Sequence, residues 1–343
     1  MMKKVLLLAV VALAGALLLT DSEVFAAPKV FDVKISHIVP ETDVIHTAYL
    51  ELKDYLEKES GGRFKVTIYP NRQLSNSNAE DAEKIMANIV QIAAAPTSVL
   101  AGSGNIPDFK IFDYPYLFQN SDEIYYTLDH GLGKFLSDKL AAKAGIRIMS
   151  SVNGGWCPLS LKTGPLDSPA DLKGKKIRIL NSDMYMEIMK SFGAVGTPIA
   201  YGETYTAMQQ GTVDGVTTNF PNWLTERYYE VQKIIGLMNP FAIIHMTMVS
   251  DTFYSSLPDD LRTIFDAGMA RYDARMRELR AQESIDTMEK LKTLMTVREY
   301  TPEELQAFKD ASAYILTEKV DLAGKEVMEY ARKLLAEYRA QRK

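Results

Sequence analysis

One unit of this chain occurs twice, and the repetition sets its architecture. Residues 85–95 (IMANIVQIAAA) and 207–219 (AMQQGTVDGVTTN) each run from a short amphipathic helix straight into an apolar strand. Strands that are apolar throughout are buried on both faces, as in parallel sheets covered by helices. Around the first copy, residues 30–38 (VFDVKISHI) and 63–69 (RFKVTIY) alternate apolar and polar positions as half-buried strands do. Between them, residues 41–60 carry Leu50, Leu52, Tyr55 and Leu56 at helical spacing. The order is βαβαβ. Around the second copy stand the strand patterns 146–152 and 175–180 (KKIRIL) and helical patterns at 184–192 and 203–210. Two α/β lobes are predicted.

Past Leu257 the strand patterns stop. Pro258-Asp259-Asp260 reads as a first helical turn, and apolar residues recur from Leu261 through Phe265, Met269, Tyr272, Met276 and Leu279 as one long helix. Thr301-Pro302-Glu303-Glu304 is a capping box with proline at the first helical position, opening a helix to about Val320, and residues 325–342 form a last amphipathic helix. At the other end, Lys3 and Lys4 precede the uncharged run 5–19, followed by Val24-Phe25-Ala26. That is the layout of a secretory signal with cleavage after Ala26, and the run is short of the ~20 apolar residues of a membrane span. Residues 1–26 are therefore expected to be a signal peptide, and the mature chain to be soluble in a bacterial periplasm.

The chemistry-bearing residues narrow the function. A single cysteine, Cys157, permits no internal disulfide, and four histidines at 37, 46, 130 and 245 supply little for a metal site. A formal charge of −5 without long runs of one sign argues against nucleic acid as a partner. Gly102-Ser103-Gly104 starts like a dinucleotide loop, but Pro107 stands where the third glycine belongs. No GxSxG, GxxxxGK[ST], HExxH or CxxC occurs. Glu203 with Asp214 reads as solvated surface and Cys157 as a buried thiol, so no cofactor, metal or catalytic residue is expected. A two-lobed protein without a reaction centre is the profile of a binder that closes on its ligand; a secreted enzyme using Cys157 or Glu203 is the alternative from another class, and a receptor-type sensor a third.

Six stretches carry a resemblance: SHIVPETDVIH (36–46), YLEKESGGRFKVTIYPNRQL (55–74), FDYPYLFQN (112–120), SPADLKGKKIRI (168–179), GAVGTPIAYGETYTAMQQGTVDGVTTNFPNW (193–223) and RYYEVQK (227–233). In this order and spacing the chain resembles the solute-binding proteins of tripartite ATP-independent periplasmic (TRAP) transporters, the DctP type, over its whole mature length. The resemblance implies an α/β, two-lobed periplasmic binding protein with crossover strands and a long bridging C-terminal helix. The lobes implied are 27–152 plus about 244–283, and 153–243 plus about 284–343, the second carrying Arg178. The partners implied are a small organic acid and the membrane permease subunits, with the binding protein a monomer.

The resemblance also implies site residues. Arg178, in Lys176-Ile177-Arg178, takes the place of the family arginine that makes a two-pronged salt bridge to a ligand carboxylate, a match of planar geometries. Thr218 or Asn219 takes the place of the family's amide. His37 and Thr97 fall where the first lobe meets the crevice. Many members carry a second arginine on the crossover, where this chain has Asn153-Gly154-Gly155-Trp156-Cys157-Pro158. Its loss, with Trp156, Phe220 and Trp223 near the implied site, leads to the expectation of an aromatic or apolar monocarboxylate. A C4-dicarboxylate or a sugar acid is the alternative within the family.

Overall fold

The computed structural model describes residues 29–342; the signal-peptide expectation for residues 1–26 falls outside them. The chain forms a two-lobed α/β structure. The first lobe is built on a five-stranded sheet in the order β2-β1-β3-β10-β4, comprising β1 (Phe31–Ser36), β2 (Phe64–Tyr69), β3 (Ile92–Pro96), β4 (Ile146–Trp156) and β10 (Ala242–Ser250). Strand β1 is parallel to β2 and β3, and β10 runs antiparallel between β3 and β4. The alternating pattern of residues 31–34 appears as alternating buried and exposed side chains, as a sheet with one covered face requires. The helix Val44–Glu59, capped by the Asp43 carboxylate on the Ile45 N–H, covers that face through Ile45, Ala48, Tyr49, Leu52 and Leu56.

The second lobe holds two three-stranded sheets. One is parallel, in the order β7-β6-β8, from β6 (Lys176–Ile179), β7 (Val195–Pro198) and β8 (Gly215–Val216). The other, β11-β9-β5, joins β5 (Leu159–Leu161), β9 (Ile234–Gly236) and β11 (Thr296–Arg298). Three connections cross between the lobes: β4 into β5, β9 into β10, and the helix Asp259–Leu294 into β11. The first two run side by side, with Trp156 paired to Ala242 and the Cys157 N–H donating to the Phe241 carbonyl (3.0 Å). At 36 residues and ~1.5 Å per residue the helix spans ~54 Å, enough to touch both lobes. Its Leu261, Phe265, Met269, Tyr272 and Met276 pack in the first-lobe core, and Leu291 packs with Trp223 and Tyr228 in the second. The capping box at Thr301 forms as its spacing predicts. Residues 284–343 do not keep to one lobe: the helix Lys325–Ala340 lies on Ser121–Thr127, where Arg339 pairs with Glu123 (2.7 Å).

Behind the crevice the two lobes meet through apolar packing, a Lys110–Asp183 ion pair (2.7 Å) and the buried carboxyl group of Asp113. Tyr185 of the second lobe stacks on Phe241 (4.4 Å between ring centroids), and its hydroxyl donates to Asp113 (3.0 Å). Asp113 is fully buried, and burial pushes its pKa up to about 8, against the smaller opposing effects of Tyr185 and Lys110. In the unfolded chain an aspartate titrates near 3.9. Between those values the folded state holds a proton that the unfolded state has released, so this group costs stability increasingly as pH rises from about 4 to about 8. Asp113→Asn keeps the acceptor for Tyr185 and removes the titration. In urea unfolding it should be more stable than the parent at pH 8, by a margin that shrinks toward pH 5; a margin independent of pH would contradict the protonated burial of Asp113.

Candidate functional site

Arg178 lies on β6, the central strand of the parallel sheet, between Thr197 of β7 and Val216 of β8. A side chain there is shielded by both neighbours, and Arg178 has no exposed surface. Its Nε and Nη2 both donate to the Ile199 carbonyl (3.0 and 2.8 Å), which fixes the plane of the guanidinium. Its Nη1 has no hydrogen-bond partner and no carboxylate is paired with it among the described residues, while burial lowers its pKa. A buried charge left this way costs several kcal/mol unless a partner arrives. Arg178 borders a cavity of about 90 Å³ between the lobes, at the C-terminal ends of parallel strands, where open α/β sheets bind ligands.

The loop after β8 supplies the amides. Thr218, Asn219 and Asn222 line the cavity. Asn222 donates through Nδ2 to Thr218 Oγ1 and Asn219 Oδ1 (both 2.8 Å), and the Tyr201 hydroxyl donates to Asn222 Oδ1 (3.2 Å). Asn219 Nδ2 donates to the Gly154 carbonyl on the crossover (2.6 Å), which ties the loop to β4. From the first lobe comes a cross-strand row: His245 of β10 pairs with Pro96 of β3 on one side and Val152 of β4 on the other, and all three line the cavity. His245 and the backbone conformation account for the two glycines of the crossover. A Cβ on Gly154 would collide with His245 Nδ1, and Gly155 has φ of +120°, which side-chain-bearing residues rarely adopt. The imidazole fills the space that a side chain at 154 would take.

The far wall is built around a second guanidinium. Arg280, from the long helix, pairs with Asp43 (2.8 Å) and Glu283 (2.5 Å) and borders the cavity beside His37, His245, Thr247 and Tyr272. His37 Nε2 meets His46 Nδ1 at 3.0 Å, and His37 Nδ1 is buried without a partner. Among the described residues no group of three or more His, Cys, Asp or Glu is placed to hold a metal ion.

Of the ten residues expected here, the cavity is lined by Arg178, Thr218, Asn219 and His37. The other six face elsewhere. Trp223 is fully buried behind the loop, its indole N–H donating to the Thr218 carbonyl (3.4 Å) and its ring edge-on to Tyr228. Phe220, three residues earlier on the same helix face, packs in the same core. Trp156 is wedged between two apolar cores, and Cys157 is fully buried, its thiol pushed well up by burial and then by Asp113. Such a thiol is no nucleophile at neutral pH. Asn153 donates to Ser121 Oγ and accepts the Gly155 N–H, so it is spent holding the crossover. Thr97 opens the helix that follows Pro96, and only Pro96 reaches the cavity. Asp43, Tyr201, Asn222, His245 and Arg280 also line the cavity and were not anticipated; Arg280 was legible as a charge four residues past Met276 on an otherwise apolar stripe.

Both crevice histidines are held neutral. Burial is the main cause of pKa values of about 4 for His37 and for His245; His46 opposes protonation of the first and Arg280 that of the second, while Asp43 favours both. An unfolded histidine binds a proton near 6.5. From there down to about 4 the unfolded state holds more protons than the folded one, so stability falls as pH is lowered through this window. Urea unfolding at pH 7, 6 and 5 should show a shallower decline for His37→Asn than for the parent chain. Equal slopes would contradict the neutral burial of His37.

The family model of the bacterial extracellular solute-binding proteins, family 7, DctP, matches residues 35–321. The chain is 29% identical over 307 residues to the C4-dicarboxylate-binding periplasmic protein DctP of Rhodobacter capsulatus, covering 89% of this chain and 91% of that one. A TRAP periplasmic solute-binding protein from Shewanella oneidensis, solved with bound succinate, superposes with a TM-score of 0.83 at 26% identity over 90% of this chain and 99% of that one. The sugar acid binding protein DctPAm of Advenella mimigardefordensis, solved with galactonate, does so with a TM-score of 0.83 at 25% identity over 89% and 99%.

Proposed function

This chain belongs to family 7 of the bacterial extracellular solute-binding proteins, and from that premise we propose that it captures a small organic acid between its lobes and delivers it to a TRAP membrane permease. The observation that carries this reading is the Arg178 guanidinium, fully buried, aligned by one carbonyl and lacking a partner for Nη1 beside the cavity. A carboxylate entering there meets planar donors and neutralises the buried charge, so binding and relief of desolvation are one event. Export through residues 1–26 and action as a single copy belong to the same proposal. Nothing in the reading requires bond making: Cys157 is a buried thiol and Glu203 an exposed carboxylate.

The aromatic monocarboxylate expected from the sequence loses its support, because Trp156, Phe220 and Trp223 do not line the cavity. Polar groups reach it from both lobes, Thr218, Asn219 and Asn222 from one and His37, Asp43 and Arg280 from the other, set among apolar side chains such as Val152, Leu180, Ile243 and Met276. Relatives solved with succinate and with galactonate fit such a lining better. The ligand proposed is a C4-dicarboxylate or a sugar acid.

Calorimetry on the mature chain with succinate and galactonate tests the anchor. Arg178→Ala should weaken whichever acid binds by about 30-fold to several thousandfold, the ~2 to 5 kcal/mol lost when one partner of a desolvated pair is removed. Arg178→Lys should also bind poorly, because an ammonium cannot replace the planar fork. Near-native affinity in Arg178→Ala would overturn the reading.

A further inference from the structure

The two ends of the cavity differ in electrical character. At one end Arg178 is a cation without a counter-ion among the described residues. At the other, one cation, Arg280, is held between two carboxylates, Asp43 and Glu283, with side chains 6%, 3% and 16% exposed. The two imidazoles beside it, His37 and His245, add no charge at neutral pH. That end therefore carries no surplus positive charge for a second carboxylate to neutralise.

Its hydrogen-bonding groups agree. Arg280 Nε and His37 Nδ1 are buried and unpartnered. Asp43 Oδ1 is occupied by the Ile45 N–H and Arg280, leaving Oδ2 as an acceptor on the lining. A hydroxyl both donates and accepts, so it can satisfy a carboxylate, an imidazole and a guanidinium in one place. A carboxylate only accepts, and against Asp43 it brings like charges together in a low-dielectric site.

Resting on the Arg178 reading, we propose that the Asp43–Arg280–Glu283 cluster is a selectivity filter that makes this site prefer a hydroxylated monocarboxylate, of the sugar-acid type, over a C4-dicarboxylate. Specificity is then set by a repulsive element at the far wall as well as by the anchor. The missing crossover arginine fits: the second guanidinium at this cavity arrives from the long helix already neutralised.

The test is calorimetry of the mature chain and its variants with galactonate and with succinate. The parent chain should bind galactonate at least about tenfold more tightly than succinate. Asp43→Asn keeps the helix-capping acceptor but removes one negative charge and loosens Arg280, so it should narrow that ratio about tenfold by strengthening succinate. Glu283→Gln, at a more exposed position, should shift the ratio in the same direction and covers the case in which Asp43→Asn misfolds. Succinate binding as tightly as galactonate to the parent chain, or an unchanged ratio in folded variants, would overturn the filter while loss of either acid in Arg178→Ala still upheld the anchor. Binding of neither acid would overturn both.

Discussion

A guanidinium taken out of water without a counter-ion is the constraint around which the structure is arranged. Arg178 is fully buried with two of its nitrogens satisfied by one carbonyl and the third left open. Such a group is tolerable only if the fold holds it rigidly and a ligand completes it. The rigidity has visible sources: a central strand flanked by β7 and β8, and the Ile199 carbonyl, held by its own chain segment through the Ile199 N–H to Ile179 (3.3 Å). Arg280 is the contrasting case in the same cavity, also buried but with its charge paired by Asp43 and Glu283. One cation waits for a ligand and the other is already neutral, and this asymmetry gives the cavity a direction.

The crossover segments translate that asymmetry into a binding geometry. Strand β4 must pass close enough for Asn219 to bond the Gly154 carbonyl and for His245 to occupy the space beside Gly154. The second leaves no room for a side chain at 154, and the backbone at 155 has a positive φ that favours glycine. Arg72 of the first lobe lies over the Tyr201 ring of the second at 5.6 Å, so the lobes also touch across the crevice mouth.

The architecture was readable because burial repeats with the period of each element. The parallel strands, the long helix from Pro258 and the capping box at Thr301 all follow from local pattern. Arg178 was readable only through a family motif, since an arginine on a strand says nothing of what faces it. The aromatic wall was misjudged for a physical reason. Phe220 and Trp223 stand three apart on one helix face, which buries them together, while Asn219 and Asn222, offset by one residue, turn toward the cavity. The distal wall was opaque as a unit because Asp43 lies some 200 residues before His245 and Arg280 and meets them only in the folded chain.

The central claim is that the open donor of Arg178 is completed by a ligand carboxylate, and the most direct measurement is a crystal structure of the mature chain with galactonate bound. The account predicts a carboxylate oxygen within ~3 Å of Arg178 Nη1, with the hydroxyls directed to His37, Asp43 and Arg280. A carboxylate seated against Arg280, with Arg178 still bonded only to Ile199, would contradict it.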